Sequence, residues 1–103
     1  MDNFRIIYKI LKTLEKAMSV DEFDKGAIAP ERFKISQAHW VKLMEMLISD
    51  GYITGAQAQP FFGVRDIILG DVSITLKGLE YLQENALMKK VRNIAKGIAD
   101  LAP

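Results

Sequence analysis

The stretch ERFKISQAHWVKLMEMLISDGYIT, residues 31–54, decides which fold the chain is expected to adopt. Ser36 predicts a helix N-cap, because its hydroxyl can accept a hydrogen bond from an amide of the first turn, and Gly51 predicts the end of that helix. Gly51 leads at once into the extended pattern of Tyr52 and Ile53, so the stretch predicts a helix-turn-helix followed by a wing. The apolar face of the helix recurs at spacings of three and four: Trp40, Leu43, Met44, Leu47 and Ile48.

Two further helices are expected before this one. Apolar spacing predicts a first helix over residues 4–18, capped by Asp2 or Asn3. Pro30 is typical of a first helical turn, so a brief second helix is expected over residues 31–34, with Phe33 facing the core. Residues 27–29 are a candidate for a very short strand. The buried arc of the first helix is expected to contain Ile6, Ile7, Ile10, Leu11, Leu14, Ala17 and Met18.

The segment after the third helix predicts two strands and a loop. One strand is expected over residues 52–59, a wing loop over 57–63, and a return strand over 64–69, with a second short stretch at 72–74. Phe61 and Phe62 lie side by side in the predicted loop, so at least one is expected to be exposed. Such an aromatic side chain either anchors an interface or folds back over the sheet, and folding back is favoured.

The C-terminal part predicts more helix. Thr75 predicts the N-cap of a helix whose buried side holds Leu76, Leu79 and Leu82. Residues 86–101 predict a last helix with an apolar seam that needs a partner helix, either the first helix of the same chain or a second copy of the protein. The seam contains Leu87, Val91, Ile94, Ile98 and Leu101.

Composition limits the function classes. A chain of 103 residues predicts a single domain, with a core over residues 1–85 and a C-terminal helix over 86–103. It has no cysteine and a single histidine, so neither a metal site nor a cofactor is expected. No nucleophile with a base, no paired carboxylates and no glycine-rich phosphate loop are recognisable, so an enzyme is not expected. The N-terminus predicts neither a signal peptide nor a membrane span, which favours a cytoplasmic location.

Charge is unevenly distributed along the chain. Residues 1–20 sum to +2, 21–60 to −2, 61–85 to −2 and 86–103 to +3, within a formal net charge of +1. A DNA reader usually concentrates cations on the recognition helix and the wing, so this distribution argues against the simplest DNA-binding mode. On the first helix Arg5, Lys9, Lys12 and Lys16 form a basic ridge, which is either a solvated face or a surface for phosphate groups.

Several of these residues carry a family resemblance. Ile35-Ser36, Trp40, Glu45-Met46-Leu47, Gly51-Tyr52-Ile53, the run ITLKGLEYLQEN at residues 74–85 and the trailing Met88-Lys89-Lys90 resemble the YjcQ-like family of small winged-helix proteins from Firmicutes and their prophages. The resemblance implies a winged-helix fold and a bacterial or phage cytoplasmic setting, without an established activity. The fold expected is therefore α+β: a winged helix-turn-helix with a three-helix core, a two- or three-stranded wing and extra C-terminal helices.

Two functions from different classes remain open. The first is a DNA-binding transcriptional regulator that contacts duplex DNA through Gln37, His39 and Lys42 on the third helix and Arg65 on the wing. The second is a winged helix that does not bind DNA and instead binds itself or another protein. Its interface would use Phe61 and Phe62 or the seam formed by Leu87, Val91, Ile94, Ile98 and Leu101.

Overall fold

Side-chain caps begin all three α-helices of residues 2–86, the part of the chain that the computed structural model describes. The Asp2 carboxylate accepts a hydrogen bond from the Arg5 amide at 2.9 Å and begins α1, Asn3–Ala17. The Ser36 hydroxyl accepts from the His39 amide at 3.1 Å and begins α2, Gln37–Ser49. The Thr75 hydroxyl accepts from the Gly78 amide at 3.1 Å and begins α3, which is helical over residues 76–86. Each cap satisfies an amide that has no partner inside its helix.

Two short 3-10 turns connect α1 to α2. They span Lys25–Ile28 and Pro30–Phe33, and Phe33 is buried as predicted. The strand suggested at residues 27–29 is wrong, because the Asp24 carboxylate accepts from the Gly26 amide at 2.9 Å and stabilises a turn there. Lys34 then adopts a left-handed conformation, φ 55°, which ends the second turn just before the α2 cap.

Four strands follow α2 and pair as one interrupted antiparallel hairpin. β1, Ile53–Thr54, pairs with β4, Ser73–Ile74, whereas β2, Gln57–Phe61, pairs with β3, Val64–Ile68. The strand predicted over residues 52–59 is therefore divided at residues 55–56, where Gly55 has φ +84°. The return strand and the short stretch near residue 73 are confirmed.

The wing loop predicted over residues 57–63 is wrong, because residues 57–61 are strand. The turn consists of Phe62 and Gly63 alone, with φ 51° and 78°. Positive φ at both central residues is the geometry of a type I′ turn, whose twist matches that of the flanking strands. The register Phe61↔Val64 follows directly from this two-residue turn.

One hydrophobic core joins the helices to the base of the hairpin. Trp40 is 4% exposed, and its indole N–H donates to the Ile28 carbonyl at 2.8 Å, which joins α2 to the first 3-10 turn. In α2 the predicted apolar face is confirmed, with Ile48 half-buried and Val41 added. The core side chains from the three helices are Ile6, Ile10, Leu11, Leu14, Trp40, Val41, Leu43, Met44, Leu47 and Leu82.

Two predicted core positions are wrong. Met18 is 61% exposed, because α1 ends at Ala17 and the chain turns there. Leu76 is 73% exposed, because it is the first helical residue of α3 and α3 packs instead through Leu82, with Leu79 half-buried. The predicted helix over residues 86–101 and its seam at Leu87, Val91, Ile94, Ile98 and Leu101 lie outside the described residues.

Candidate functional site

The exposed side of α2 lies opposite its core-facing side. Ala38, Lys42, Met46 and Ser49 are exposed at successive spacings of four, four and three residues. This spacing places them in one stripe along the helix. We call these four residues the α2 stripe. It combines two small side chains, one cation and one flexible apolar side chain.

Two side-chain links hold β3 against the edge of the α2 stripe. Gln37 Nε2 donates to Asp66 Oδ1 at 2.7 Å, and Arg65 Nε pairs with Glu45 Oε1 at 3.0 Å. The same Asp66 oxygen accepts from the Ile67 amide at 2.7 Å. Exposed links of this type contribute at most about 1 kcal/mol each, so their effect is to orient the hairpin more than to stabilise the fold.

Three of the four predicted DNA contacts already have partners within the chain. Gln37 and Arg65 meet at the junction of α2 and β3, as the two links require. His39 lies toward the start of α1, with Nε2 2.6 Å from Asn3 Oδ1. Lys42 is exposed and makes no ion pair or side-chain hydrogen bond within residues 2–86. The structure thus brings Gln37 and Arg65 together at the junction of α2 and β3, whereas Lys42 contacts neither and His39 lies at the start of α1.

Sequence reasoning missed the anionic partners at this junction. The partners are Glu45 for Arg65 and Asp66 for Gln37. The spacing of four between Gln37, Val41 and Glu45 was an available signal, since it places both polar residues on the same flank of α2. Nothing local indicated that β3 would lie along that flank.

The junction is electrostatically balanced. Its cations are Lys42 and Arg65, and its anions are Glu45 and Asp66. Arg65 pairs with Glu45. Among the described residues of this surface, Lys42 is therefore the only cation that a ligand can bind without breaking an existing contact. The surface therefore has little electrostatic attraction for a polyanion.

The tip of the hairpin is strongly apolar and exposed. Phe61 is 63% exposed, Phe62 95% and Val64 63%. The favoured expectation that an aromatic ring folds back over the sheet is wrong, because the short turn carries both rings away from the core. The rings contact each other instead, edge to face, with centroids 4.9 Å apart. We call Phe61, Phe62 and Val64 the hairpin tip.

The outer edges of the β2–β3 hairpin are protected against pairing with another strand. In the register set by the turn, Pro60 lies at a position whose nitrogen faces outward from β2, and proline has no N–H to offer. On the β3 side the outward Ile67 amide donates to Asp66. The hairpin tip therefore presents side chains for contact, while its strand edges are poorly suited to strand addition.

Residues 2–86 contain no group of three or more acidic or histidine side chains that could hold a metal ion. None of the helices in that range has the length and apolar character that crossing a bilayer requires.

Comparisons with known proteins place the chain in one family. The family model described as "YjcQ protein" matches residues 8–101. Neither the comparison with curated proteins nor that with solved structures found a match.

Proposed function

We propose that this chain, which belongs to the YjcQ family, is a winged-helix protein that binds duplex DNA. The order of elements supports the winged-helix assignment: a first helix, a connection with two 3-10 turns, a capped second helix and a two-stranded ribbon. The observation that carries the proposal is the α2 stripe, which is exposed beside a hairpin held at a fixed angle by two side-chain links.

The chemistry of the α2 stripe suits a close approach to a groove with few charged contacts. Ala38 and Ser49 are small enough to let a duplex come near the helix, and Lys42 lies between them, where it reaches a guanine edge or a phosphate. The N-terminus of α2 adds the favourable end of the helix dipole.

The other predicted contacts take a different role in this proposal. Arg65 neutralises Glu45, and Gln37 is held by Asp66, so both are positioning residues that fix the hairpin and cover the two anions. His39 contacts DNA only if it gives up Asn3. The proposal extends to a role in transcription regulation in a bacterial or prophage setting, in the cytoplasm and without catalysis.

Selection of bound sequences from random duplex DNA at low salt tests this function. Binding should weaken as salt rises, with log K falling by about 0.9 for each phosphate contacted per unit of log salt. Lys42→Ala should lower the affinity and reduce that slope by about one phosphate contact. Lys25→Ala removes the same charge from an exposed position outside the α2 stripe and should change neither. Absence of duplex binding at low salt would overturn the proposal.

The hairpin tip favours a second function, self-association without DNA. Phe62 has a left-handed backbone, φ 51°, which costs a bulky residue about 1–2 kcal/mol, and it is 95% exposed. A strained and exposed aromatic residue is typical of a contact surface. The predicted seam at residues 87–101 supplies another route to a homodimer, outside the described residues.

Light scattering over a range of protein concentrations tests self-association. The wild type should form a dimer that Phe62→Asn disrupts, because asparagine tolerates the left-handed turn while removing the ring. Leu76→Ser removes an apolar side chain that is 73% exposed from α3 and should leave the dimer intact. A protein that stays monomeric at all concentrations would contradict this second function.

A further inference from the structure

A recess with a basic lining lies between α1 and the two 3-10 turns, on a part of the molecule that the proposed function does not use. Its volume is about 280 Å³. Lys9, Lys12 and Lys16 line it from α1, and Arg32 lines it from the second 3-10 turn. No residue of α2 or of the hairpin contributes to the lining.

The helical spacing explains why three lysines share this wall. Lys9, Lys12 and Lys16 follow one another at spacings of three and four, so they lie on one face of α1. The sequence predicted a basic ridge that also included Arg5. Arg5 instead pairs with Asp2 at 3.5 Å at the start of α1 and does not line the recess. Arg32 replaces it, from a turn that has no periodic relation to α1.

The lining is cationic, and one of its four cations, Lys12, is paired with a carboxylate. No aspartate or glutamate is among the lining residues. Glu15 lies outside the recess, and its carboxylate accepts from Lys12 Nζ at 2.8 Å. This hydrogen bond, together with the charge of Glu15, raises the pKa of Lys12, and the ion pair compensates part of the Lys12 charge. Lys9, Lys16 and Arg32, which make no ion pair within residues 2–86, therefore line one small volume from two sides together with the paired Lys12.

The uncharged lining residues are Tyr8, Thr13, Ala27 and Phe33. The Thr13 hydroxyl donates its hydrogen to the Lys9 carbonyl at 2.8 Å, which leaves the cations and the Tyr8 hydroxyl as side-chain donors toward a ligand. Ala27 and Phe33 contribute apolar surface to the wall opposite α1. A volume of about 280 Å³ is near the lower limit of small-molecule sites, so the recess fits a small ligand.

We infer that this recess binds a small phosphorylated anion with at least two negative charges, of the di- or triphosphate class. Cations that converge from two walls suit a compact anion that they can surround. A duplex, in contrast, is usually followed along an exposed ridge. The inference is independent of DNA binding, because the two sites share no residue.

Isothermal titration calorimetry with inorganic triphosphate at low salt tests the inference, with chloride at matched ionic strength as the blank. The wild type should bind one triphosphate saturably. Arg32→Gln should weaken binding by about tenfold, the cost of one charge-assisted contact at an exposed site, and Arg32→Lys should restore part of it. Arg32 is exposed, so these variants should keep the wild-type Tm.

A double comparison separates this site from the α2 stripe. Lys42→Gln removes a cation outside the recess and should leave triphosphate affinity unchanged, whereas Arg32→Gln should leave duplex binding unchanged. Triphosphate binding without any duplex binding would reject the proposed function alone. Three results would overturn the inference: no saturable triphosphate binding, equal weakening by both variants, or displacement of bound triphosphate by a short duplex. The last result would assign the recess to a nucleic-acid backbone.

Discussion

Trp40 is the residue on which the packing of α2 most depends. Its ring is 4% exposed, and its indole N–H satisfies the carbonyl of Ile28, a residue that is itself buried. The hydrogen bond joins two segments that are twelve residues apart. It therefore fixes the first 3-10 turn to α2, the helix that we propose contacts DNA.

Trp40→Phe should remove the indole donor and leave the Ile28 carbonyl without a partner. An unsatisfied buried carbonyl costs about 1–3 kcal/mol, and the smaller ring adds a packing loss. Urea denaturation should show this decrease in the free energy of unfolding. Met44→Leu, a substitution of similar volume at a fully buried site, should cost less than about 1.5 kcal/mol. Equal costs for the two variants would mean that the hydrogen bond contributes nothing measurable.

Tyr81 makes the free energy of unfolding depend on pH in the alkaline range. Burial raises the pKa of Tyr81 above its ordinary value of 10.0, and the nearby Tyr52 adds to the shift. The two rings lie edge to face with centroids 5.5 Å apart. The folded protein thus holds this proton more tightly than the unfolded chain does. The contribution of protonated Tyr81 to the free energy of unfolding is fully present below about pH 10. It is lost as the pH rises through the pKa of Tyr81 in the folded protein.

A phenolate absorbance titration checks this expectation. The phenolate signal that appears at the highest pH in the folded wild type should be missing from the titration of Tyr81→Phe. The same signal should remain in the titration of Tyr8→Phe. Urea midpoints should fall above about pH 10 in the wild type and fall less in Tyr81→Phe. A midpoint that falls equally in the two proteins would assign the alkaline effect to other groups.

At the scale of elements, α3 approaches the backbone just before β1 and a side chain of β4 more closely than a Cβ atom allows. A Cβ atom on Gly78 would lie 2.5 Å from the Tyr52 carbonyl oxygen and 2.6 Å from Ile74 Cγ1. Nearby, the Tyr52 carbonyl accepts from the Thr75 amide at 3.1 Å, so the cap of α3 and the start of β1 are joined by the backbone. Glycine at position 78 is what lets the helix lie against this strand.

Gly78→Ala should therefore destabilise the protein although alanine is the better helix former. Helix propensity alone would add about 1 kcal/mol of stability, whereas overpacking against a fixed backbone costs about 1–3 kcal/mol. Thermal unfolding should show a lower Tm. Glu80→Ala, at an exposed site two residues further along α3, should change the stability by less than about 0.5 kcal/mol. A higher Tm for Gly78→Ala would show that α3 can move away from β1 at little cost.

The elements predicted correctly from the sequence are those whose signals are local. Ser36 and Thr75 predicted the starts of their helices correctly, because an N-cap side chain accepts a hydrogen bond from an amide only three residues away. The turn at Phe62 was missed because a bulky residue in a left-handed conformation is rare, so a loop was the more natural expectation. The link between Gln37 and Asp66 spans 29 positions, and no local pattern encodes such a contact.

The candidate site likewise combines features that local sequence patterns predict with contacts between residues far apart in the chain. Lys42 and the exposure of its helix face were predictable from periodicity alone. The partners that occupy Gln37 and Arg65 depend on where the hairpin lies, and that position is set by the register of strands far along the chain. The position of Arg32 in the basic recess could not be predicted for a similar reason. Arg32 lies in a 3-10 turn far along the chain from the lysines of α1, and only the tertiary fold brings the two together.

At the scale of the whole molecule, net charge limits how a polyanion can be bound. The formal net charge of the chain is +1, whereas residues 21–85, which include α2 and the hairpin, carry a net charge of −4. Long-range attraction of a duplex toward this side is therefore weak. Affinity would come from the fit of the α2 stripe and from Lys42, and a complex of this kind should have a shallow salt dependence.

Neutralising the two junction anions tests whether this side faces DNA. Glu45→Gln combined with Asp66→Asn keeps an oxygen acceptor at each position, so Arg65 and Gln37 retain hydrogen-bond partners while the formal net charge rises from +1 to +3. Duplex affinity should increase by about tenfold at low salt, with a steeper dependence on salt, because a carboxylate no longer compensates the charge of Arg65.

The matched control is Asp21→Asn combined with Glu22→Gln, which makes the same change in net charge on the exposed segment between α1 and the first 3-10 turn. If DNA lies against the α2 stripe, the junction variant should exceed this control in both affinity and salt slope, since screening limits the effect of charges more than about 10 Å away. Equal gains would indicate attraction by net charge alone. No gain in either variant would remove this surface from contact with DNA and leave the hairpin tip as the better-supported interface.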